Sequence, residues 1–579
     1  MAAAVCVLSF WHTQQIIVMG RYPVSLVYAF LPLPFWALSI ATRRKTWHGF
    51  ALVGGASQAL IVLTHPGYGI WAGAFLVSLG VAFYVTQRAR RTRIVRATVG
   101  MILVGVILSS VLTIPILFEG DETYLRSGFS LSGLPDPTPS QVFLWSNYNT
   151  GVGGETGETH NWYGGYIGVS AVFLSLMGLG GAIWRRGRAL PAAVWFGAFG
   201  CAFSLMLMFG YRWTLVESLP FVRIQNAGRY ELFLLFFIAQ LSGIAVSYIP
   251  RVLNCHPSTF LAIALFVVGL DLLPTTIRQP YQFASPQLVS QISRPLYDRL
   301  ESQGRRDRKR GSFPIERMVH TFPPRNGILV AATRTPTIDC VYVEHPRAAD
   351  QFLRPLIPLV EREVRAHAHH LNAWLATEPA QTLLDALYLA GTRYHLTPVA
   401  QDEQLRGTVE LTLTTHSPVV VSTQLTHRPS LPPGSEFELL NLVSEMGVDR
   451  DAHTARHIPV PDEGAHLRPT VPLTFTLQDY RVEVDRVRLS ADVSTPCFAR
   501  LAFGHTSGLE ILVNGNPVDT IPTSDGFVAI RLGEGQNIID ISGRLSPLRK
   551  TLWVGTLGFL VAALYFLRRK TTTHSVQRA

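Results

Sequence analysis

The sequence predicts a polytopic α-helical membrane protein with a large extracytoplasmic block and a C-terminal anchor helix. Of its 579 residues, 48% are hydrophobic and only 15% are charged, and its mean hydropathy is +0.24. A soluble globular chain carries about 25% charged residues, so the shortfall indicates that much of this chain lies in lipid. Apolar stretches of membrane-spanning length recur along the chain, and basic residues follow every second one of them. These observations exclude a wholly soluble enzyme.

The apolar stretches give about nine predicted spans, because a bilayer core needs ~20 apolar residues per helix. Eight of them form a membrane domain over residues 22–274, and the ninth is the C-terminal anchor. The predicted ranges are 22–41, 48–64, 69–86, 97–118, 163–184, 190–210, 229–249, 257–274 and 551–567. The second and third spans are joined by the sequence THPGYG, which predicts a tight helical hairpin at His65.

Basic side chains orient the predicted spans. Arginine or lysine follows spans one, three, five, seven and nine, and cytoplasmic loops carry the excess of these residues. The loop 119–162, on the opposite side, holds six acidic residues and one arginine, Arg126. The pattern predicts a multi-pass protein of the bacterial inner (cytoplasmic) membrane, with residues 280–548 extracytoplasmic and the tail 568–579 cytoplasmic. It also places the N-terminus outside, so residues 1–21 are expected to be an interfacial segment or the remainder of a truncated upstream part.

The extracytoplasmic block divides into two predicted regions. Residues 280–404 are expected to be mixed α/β, since stretches such as 352–376 carry apolar residues at helical spacing. From 405 to 548 the apolar residues alternate with polar ones, which predicts a β-sandwich-like region.

Turn signals divide the alternating region into strands. Asn514-Gly515 and the Asp-Gly pair at 525–526 are typical of hairpin turns. In the run YRVEVDRVRL the alternation slips at the Asp-Arg pair 485–486, which predicts a β-bulge inside one strand.

Several stretches together resemble one group of bacterial membrane proteins. The runs LFEGDETYLRSGFSL, QVFLW, NWYGGYIGVSAVFLSLMGL and FVRIQNAGRYELFLLFFIAQLSGIA are similar to the membrane domain called 6-pyruvoyl-tetrahydropterin synthase-related. The C-terminal run from 498 to 542 resembles the end of YfhO-type proteins, although Thr506-Ser507-Gly508-Leu509 stands where that family has Pro-Gly-Trp. Both groups belong to, or lie beside, the GT-C superfamily of polytopic glycosyltransferases.

This resemblance implies an enzyme that uses polyprenyl-phosphate sugars at the outer face of the membrane. GT-C enzymes place an acidic residue in their first extracytoplasmic loop, after the first span. In this chain no Asp or Glu precedes Glu119. The departure is expected if the sequence lacks an upstream part, or if the protein is a degenerate relative without catalysis.

Ionisable side chains at the outer ends of the spans are the candidate site, because charges at membrane depth are costly and mark functional positions. Arg223 and Arg229 precede span seven and could hold a phosphate or pyrophosphate through their forked donors. Glu119 or Asp121, after span four, could act as general base on an acceptor hydroxyl or hold a divalent cation. The other outer-face candidates are His65, Glu122, Glu231 and Asp271.

Simpler roles compete with these chemical ones. Arg229 and Glu231 would also serve as interfacial anchors, and the acidic residues after span four as the start of a solvated loop. His65 would also cap its turn next to Pro66.

Other site types find less support in the sequence. His367 and His370 lie three residues apart on a charged helix without carboxylate or Cys ligands at metal-binding spacing, so they indicate a surface cluster rather than a metal site. Cys340 and Cys497 lie in strand-like runs that are predicted to be outside the cytoplasm, where the two thiols could form a disulfide. The net charge of +11 comes from short basic loops between apolar spans, which argues against nucleic acid as a partner. No cofactor beyond the divalent cation is implied.

Two functions therefore fit the sequence. One is a GT-C-like protein that acts on polyprenyl-phosphate-linked sugars in envelope polysaccharide or glycoconjugate assembly. The alternative is a non-catalytic scaffold or accessory subunit whose extracytoplasmic domain binds a glycan or a protein partner. The outer cluster of charged residues favours the first, and the lack of an acidic residue before Glu119 favours the second.

Overall fold

A computed structural model shows two compact units, each described here by itself. The helical unit comprises Met1–Phe118, Gly128–Ala284 and Leu548–Ala579, and the β-rich unit comprises Glu119–Ser127 and Ser285–Pro547. The structure describes residues 1–9, 22–44, 47–118, 139–143, 166–186, 190–210, 227–277, 302, 317–320, 347–367, 370–390, 392–399, 407–412, 419–432, 435–462, 467, 472–482, 486–506 and 508–576.

The described part of the helical unit has helices at all nine positions predicted as spans, and two further short helices. In chain order the helices are α1 (Ala2–Leu8), α2 (Tyr22–Phe30), α3 (Pro32–Ala41), α4 (His48–Thr64), α5 (Pro66–Thr86), α6 (Arg91–Phe118), α7 (Pro139–Phe143), α8 (Val169–Arg186), α9 (Ala192–Phe209), α10 (Glu231–Val252) and α11 (Pro257–Ile277). The C-terminal helix, numbered α16 because four helices of the β-rich unit precede it, is Pro547–Val576.

Eight of the described apolar helices divide by length into two groups. Pro66–Thr86, Arg88–Phe118, Ala192–Phe209 and Glu231–Val252 are long and apolar enough to cross a bilayer. Four other apolar helices are shorter, namely Leu26–Ala41, His48–Thr64, Val169–Arg185 and Pro257–Leu273. The helical unit is thus a membrane region with about four to eight apolar helices, followed along the chain by a mixed region and a terminal helix. Nine crossings and their sidedness stay predictions.

Glycine allows the closest helix contacts of this unit. A Cβ added at Gly178 of α8 would lie 2.3 Å from the carbonyl oxygen of Leu241 in α10. A Cβ at Gly55 of α4 would lie 2.5 Å from the Cβ of Val104 in α6. Small residues are how membrane helices bring their backbones together, because packing rather than water exclusion holds them.

The two terminal helices of the chain pack against this bundle. α1 contacts α10 and α11, and its Val5 is fully buried. The hydroxyl of Thr556 in α16 donates to the carbonyl oxygen of Ile107 in α6 at 3.3 Å and lies 3.4 Å from the hydroxyl of Ser110. The predicted anchor helix therefore joins the bundle through a polar contact between α16 and α6.

Within its described residues, the β-rich unit combines four helices with sixteen strands. Its helices are α12 (Arg347–Ala366), α13 (Leu371–Leu375), α14 (Glu378–Leu389) and α15 (Glu436–Met446). Its strands are β1 (Arg317–His320), β2 (Thr392–Val399), β3 (Gly407–Thr412), β4 (Val419–Ser422), β5 (Leu425–His427), β6 (Val448–Asp449), β7 (Thr454–Ala455), β8 (Ile458–Val460), β9 (Phe475–Val482), β10 (Arg486–Val493), β11 (Cys497–Gly504), β12 (Leu509–Val513), β13 (Asn516–Pro517), β14 (Ile521–Pro522), β15 (Phe527–Leu532) and β16 (Gly535–Gly543).

Among the described residues of this unit, two sheets pack against each other, which confirms the predicted β-rich region. A five-stranded antiparallel sheet has the order β13-β12-β16-β10-β9, and a six-stranded sheet has the order β14-β15-β11-β4-β7-β6. Leu489 and Ile539 from the first sheet share one apolar core with Val421, Leu501 and Ile530 from the second. On its other face the six-stranded sheet packs against α12, α14 and α15, so this unit has a helical layer beside the two sheets.

Two sequence expectations for this unit need correction. The slip at 485–486 is not a bulge, because β9 and β10 are separate antiparallel strands in which Val482 pairs with Val487, and the slip falls where one strand ends and the next begins. The prediction of mostly strands after residue 405 also missed α15. That helix is set locally, since Ser435 caps it by accepting from the Glu438 amide at 3.3 Å and Gly447 ends it at φ +55°.

Candidate functional site: the polar end of the helical bundle

Four predicted site residues, His65, Arg229, Glu231 and Asp271, lie at one end of the helical unit, here called the polar end. α5 begins directly after His65, and α10 begins at Glu231. The first turns of these two helices lie side by side, because the rings of Tyr68 and Phe233 are 6.0 Å apart.

Helix directions bring Asp271 to the same end. α8 and α10 run parallel, since Gly178 meets Leu241 and, further along both helices, Gly181 meets Ile249. α11 runs antiparallel to α8, so its Asp271 meets the first turn of α8. The starts of α5, α8 and α10 therefore share the polar end with the last turns of α11.

Asp271 caps α8. One carboxylate oxygen accepts from the hydroxyl of Tyr166 at 2.6 Å, and the other accepts from the backbone amide of Ser170 at 2.8 Å. The Tyr166 hydroxyl in turn accepts from the amide of Val169 at 2.9 Å. Gly168 has φ +105°, and a Cβ there would lie 2.6 Å from Leu272. Asp271 thus satisfies free amides at a helix N-terminus, where negative charge is favourable.

His65 occupies the N-cap position of α5. Its backbone is extended, and its Nδ1 accepts from the Tyr68 amide at 3.5 Å, at the long limit of a hydrogen bond. Pro66 at the first helical position needs no amide partner. The geometry matches the capping role considered for His65.

Glu231 is the most deeply placed acid of the polar end. It is fully buried in the first turn of α10, and it interacts electrostatically with Tyr28 of α2. Arg229 is half-buried, two residues earlier in a 3₁₀ turn over Ala227–Tyr230. A buried carboxylate is costly in an apolar bundle, and the α10 dipole offsets part of that cost.

Aromatic side chains that sequence reasoning missed line the bundle just below these groups. Trp71 and Tyr230 meet edge to face with ring centroids 5.8 Å apart, and both are buried. The ring centroid of Trp71 also lies 5.8 Å from that of Phe203 in α9. A signal was available, because Trp71 follows His65 on the same helix and Tyr230 stands between two candidate charges.

The remaining predicted site residues, namely Glu119, Asp121, Glu122 and Arg223, lie outside the residues that the structure describes. The notion that Arg223 and Arg229 form a clamp, or that Glu119 or Asp121 is a base, stays a prediction.

A second polar cluster, also missed from sequence, lies in the β-rich unit. Arg450 contacts Asp385 of α14 at 3.1 Å and donates to Gln381 at 2.5 Å. The hydroxyl of Tyr388 lies 2.5 Å from Nδ1 of His453. Gln381, Asp385 and Tyr388 recur at spacings of four and three, which is the signal of one helical face.

Burial perturbs both titrating groups of this second cluster. It raises the pKa of Asp385 to about 6, with Arg450 opposing the rise. It lowers the pKa of His453 below its usual value, against the effect of Asp451 and Asp449. Arg450 contacts Asp385 and Gln381, and His453 contacts Tyr388, so two separate groups of contacts fasten the 448–455 hairpin to α14.

The histidines and cysteines of the β-rich unit show no metal or disulfide chemistry within the described residues. His367 stacks on Trp374 with ring centroids 5.0 Å apart and lies 5.7 Å from His370. No described group of three His, Cys, Asp or Glu residues could hold a metal ion. Cys497 is a free, fully buried thiol, and burial raises its pKa to about 12. Cys340 lies outside the described residues.

Comparison with known proteins gives a distant structural likeness. No family model matches the chain, and no curated protein matches it. Among solved structures, a cryo-EM structure of the arabinofuranosyltransferase AftD from Mycobacteria is similar, with 12% identity and a TM-score of 0.39 over 94% of this chain. The match covers 49% of that protein, so the chain spans about half its length. The resemblance to the pyruvoyl-tetrahydropterin synthase-related domain therefore rests on sequence motifs alone.

Proposed function

We propose that the chain is a GT-C-like integral membrane protein that binds a polyprenyl-phosphate-linked sugar at the polar end of its helical unit. The observation that carries this proposal is the gathering of His65, Arg229, Glu231 and Asp271 at one end of an otherwise apolar bundle. Ionisable residues in membrane helices are rare and mark substrate sites by default. The sequence motifs that resemble GT-C proteins supply the substrate class.

Charge at the polar end suits a phosphate on a lipid. The N-termini of α5, α8 and α10 point there with their partial positive charges. Asp271 already neutralises α8, and Glu231 lies in the first turn of α10. Arg229 then supplies the cation for a phosphate in this proposal, together with Arg223. Glu119 or Asp121 would activate the acceptor hydroxyl, directly or through a divalent cation.

The test is turnover of a polyprenyl-phosphate sugar by the full chain in proteoliposomes. The Arg223→Gln/Arg229→Gln variant should lose at least tenfold in turnover, because neutral amides cannot replace charge-assisted bonds to phosphate. Arg251→Gln, an exposed arginine in the last turn of α10 at the opposite end, is the matched control and should leave turnover unchanged. Equal turnover in the double variant and the wild type, with both correctly inserted, would overturn the phosphate role.

The alternative function is a non-catalytic scaffold or accessory subunit whose β-rich unit binds a glycan or a protein. The observation that favours it is the lack of any Asp or Glu among residues 1–118, which hold the first four predicted spans. If the wild type and the Arg251→Gln control both bind the lipid-linked sugar but neither turns it over, the result favours this non-catalytic alternative.

A further inference from the structure

Five arginines are crowded between α5 and the second turn of α6, at the end of the helical unit opposite the polar end. They are Arg88, Arg90, Arg91, Arg93 and Arg96, here called the arginine cluster. A 3₁₀ turn over Arg88–Arg90 joins the two helices, and α6 begins at Arg91. Residues 1–118 contain no carboxylate side chain, so nothing in this half of the bundle is available by sequence to neutralise the cluster.

One member of the cluster is fixed by its neighbours. The Nε of Arg91 donates to the carbonyl oxygen of Tyr84 at 3.2 Å, and its guanidinium carbon lies 4.7 Å from the centre of the Tyr84 ring. Ile94, one turn of helix later, is buried in the bundle and anchors the start of α6. The turn that presents the other arginines is therefore held in place by packing.

The other members make no ion pair with any residue that the structure describes. Arg88, Arg90 and Arg96 are exposed, and Arg93 is half-exposed. Four cations in nine residues repel one another, and the positive end of the α6 dipole lies among them, which is the unfavourable end for cations. An external anion would relieve both effects.

The position of the cluster identifies the class of anion. After Arg96 the rest of α6 carries no charged residue, and its Val99 and Leu103 side chains are exposed, as on a lipid-facing helix. The arginines thus stand where the apolar surface of the bundle ends, which is the level of phospholipid headgroups. Guanidinium forks match phosphate oxygens.

A second arginine pair reaches the same end of the bundle. α3 packs against α4 and α6 and is followed by Arg43 and Arg44. Trp47, just after them, lies against Gly100 of α6, where a Cβ would be 3.2 Å from its ring. Tryptophan side chains are enriched at the membrane–water interface, so Trp47 indicates the same headgroup level.

We propose that the arginine cluster is a binding surface for the headgroups of anionic phospholipids in the surrounding bilayer. The surface selects phosphatidylglycerol-type lipids over zwitterionic lipids, because the latter bring their own cation. This role does not depend on the function proposed for the polar end, because the two sites lie at opposite ends of the helical unit.

The experiment titrates the purified full chain in detergent with phosphatidylglycerol or phosphatidylcholine and counts bound lipids by native mass spectrometry. The wild type should bind phosphatidylglycerol roughly tenfold more tightly, a preference that salt weakens by screening. Arg88→Gln/Arg90→Gln/Arg93→Gln/Arg96→Gln should lose most of it. The matched control removes the same charge from exposed positions of the β-rich unit, as Arg481→Gln/Arg486→Gln/Arg531→Gln/Arg544→Gln, and should keep it.

Three results would overturn the proposal. They are a wild type without lipid preference, a cluster variant that keeps the preference, and a control variant that loses it equally. If the fourfold cluster variant does not fold, Arg90→Gln/Arg96→Gln replaces it, and an undiminished preference in that variant at both low and high salt contradicts the proposal.

Discussion

Arg500 shows how a charged residue can be central to the fold rather than to chemistry. It is 1% exposed in β11, and it pairs with the fully buried Asp525 at 2.7 Å. Its Nη1 also donates to the carbonyl oxygen of Leu389, the last residue of α14, at 2.7 Å. The guanidinium carbon lies 4.2 Å from the centre of the Phe527 ring. One side chain therefore connects the six-stranded sheet to the helical layer.

Removal of Arg500 should destabilise the β-rich unit strongly. Arg500→Ala leaves Asp525 as a buried charge without its cation, which costs about 3–5 kcal/mol. The measurement is hydrogen exchange of the β11 and β15 amides in the full chain under increasing urea. Arg488→Ala is the control, because the Arg488–Asp540 pair at 2.8 Å is half-exposed on its arginine side and such pairs contribute about 1 kcal/mol or less. Equal losses in the two variants would contradict the role assigned to Arg500.

Asp385 should make the stability of the β-rich unit depend on pH. Burial raises its folded-state pKa from 3.8 to about 6, so its stabilising contribution is fully present below pH 3.8 and is lost as pH rises through about 6. The loss is at most about 3 kcal/mol, the equivalent of about two pKa units.

The Asp385→Asn variant isolates this titration. Relative to the variant, the wild type should gain stability as pH falls from 7 toward 4. The remaining pH dependence of the variant should have the opposite sign, because the lowered pKa of His453 costs stability below pH 6.5. Urea unfolding of both proteins across this range measures it, and parallel curves for the two proteins would rule out the raised pKa.

At the scale of elements, the α8–α10 contact depends on the absence of one side chain. Gly178→Ala would force a Cβ to within 2.3 Å of the Leu241 carbonyl oxygen, so the helices must separate. We expect a thermal unfolding midpoint lower by several degrees in detergent, from a loss of about 1–3 kcal/mol by overpacking. Gly180→Ala is the matched control two residues away, where nothing lies within 4 Å. An unchanged midpoint for Gly178→Ala would show that the helices are not in close contact.

The elements themselves were largely predictable from sequence, for definite reasons. Long apolar runs have few alternatives to a helix in lipid, so every predicted span has its helix. The Asn514-Gly515 hairpin was predictable because both residues adopt positive φ, at 53° and 80°. The helix α15 was missed because it interrupts a region of alternating apolar and polar residues. Its start and end signals, Ser435 as N-cap and Gly447 after its last turn, are nevertheless present in the sequence.

The candidate site was less predictable than the fold. Sequence reasoning chose residues at the outer ends of predicted spans, and the helix directions bring four of them to one end. It did not foresee that both oxygens of Asp271 are occupied by a cap, because that depends on which helix start α11 meets. The contacts of Asp385 with Arg450 and of Tyr388 with His453 could not be predicted from sequence, since each joins residues 65 positions apart.

At the scale of the whole helical unit, the two ends of the bundle differ in chemistry. The polar end holds two described carboxylates, His65, Arg229 and the N-termini of α5, α8 and α10. The other end holds the arginine cluster, together with Arg185 and Arg251 at the ends of α8 and α10. If the basic loops lie in the cytoplasm as predicted, the polar end faces outward. The polar end is then the end expected to meet lipid-linked sugars, and the arginine end the one expected to meet anionic headgroups.

The most direct measurement of the central claim is photo-crosslinking of the full chain in proteoliposomes with a polyprenyl phosphate that carries a diazirine beside the phosphate. The account predicts crosslinks to the starts of α5 and α10, in peptides that contain His65, Trp71 or Tyr230. Excess unlabelled polyprenyl phosphate should compete for them, and uncharged polyprenol should not. Crosslinks confined to the arginine end, or crosslinks at the polar end that polyprenol removes equally well, would contradict it.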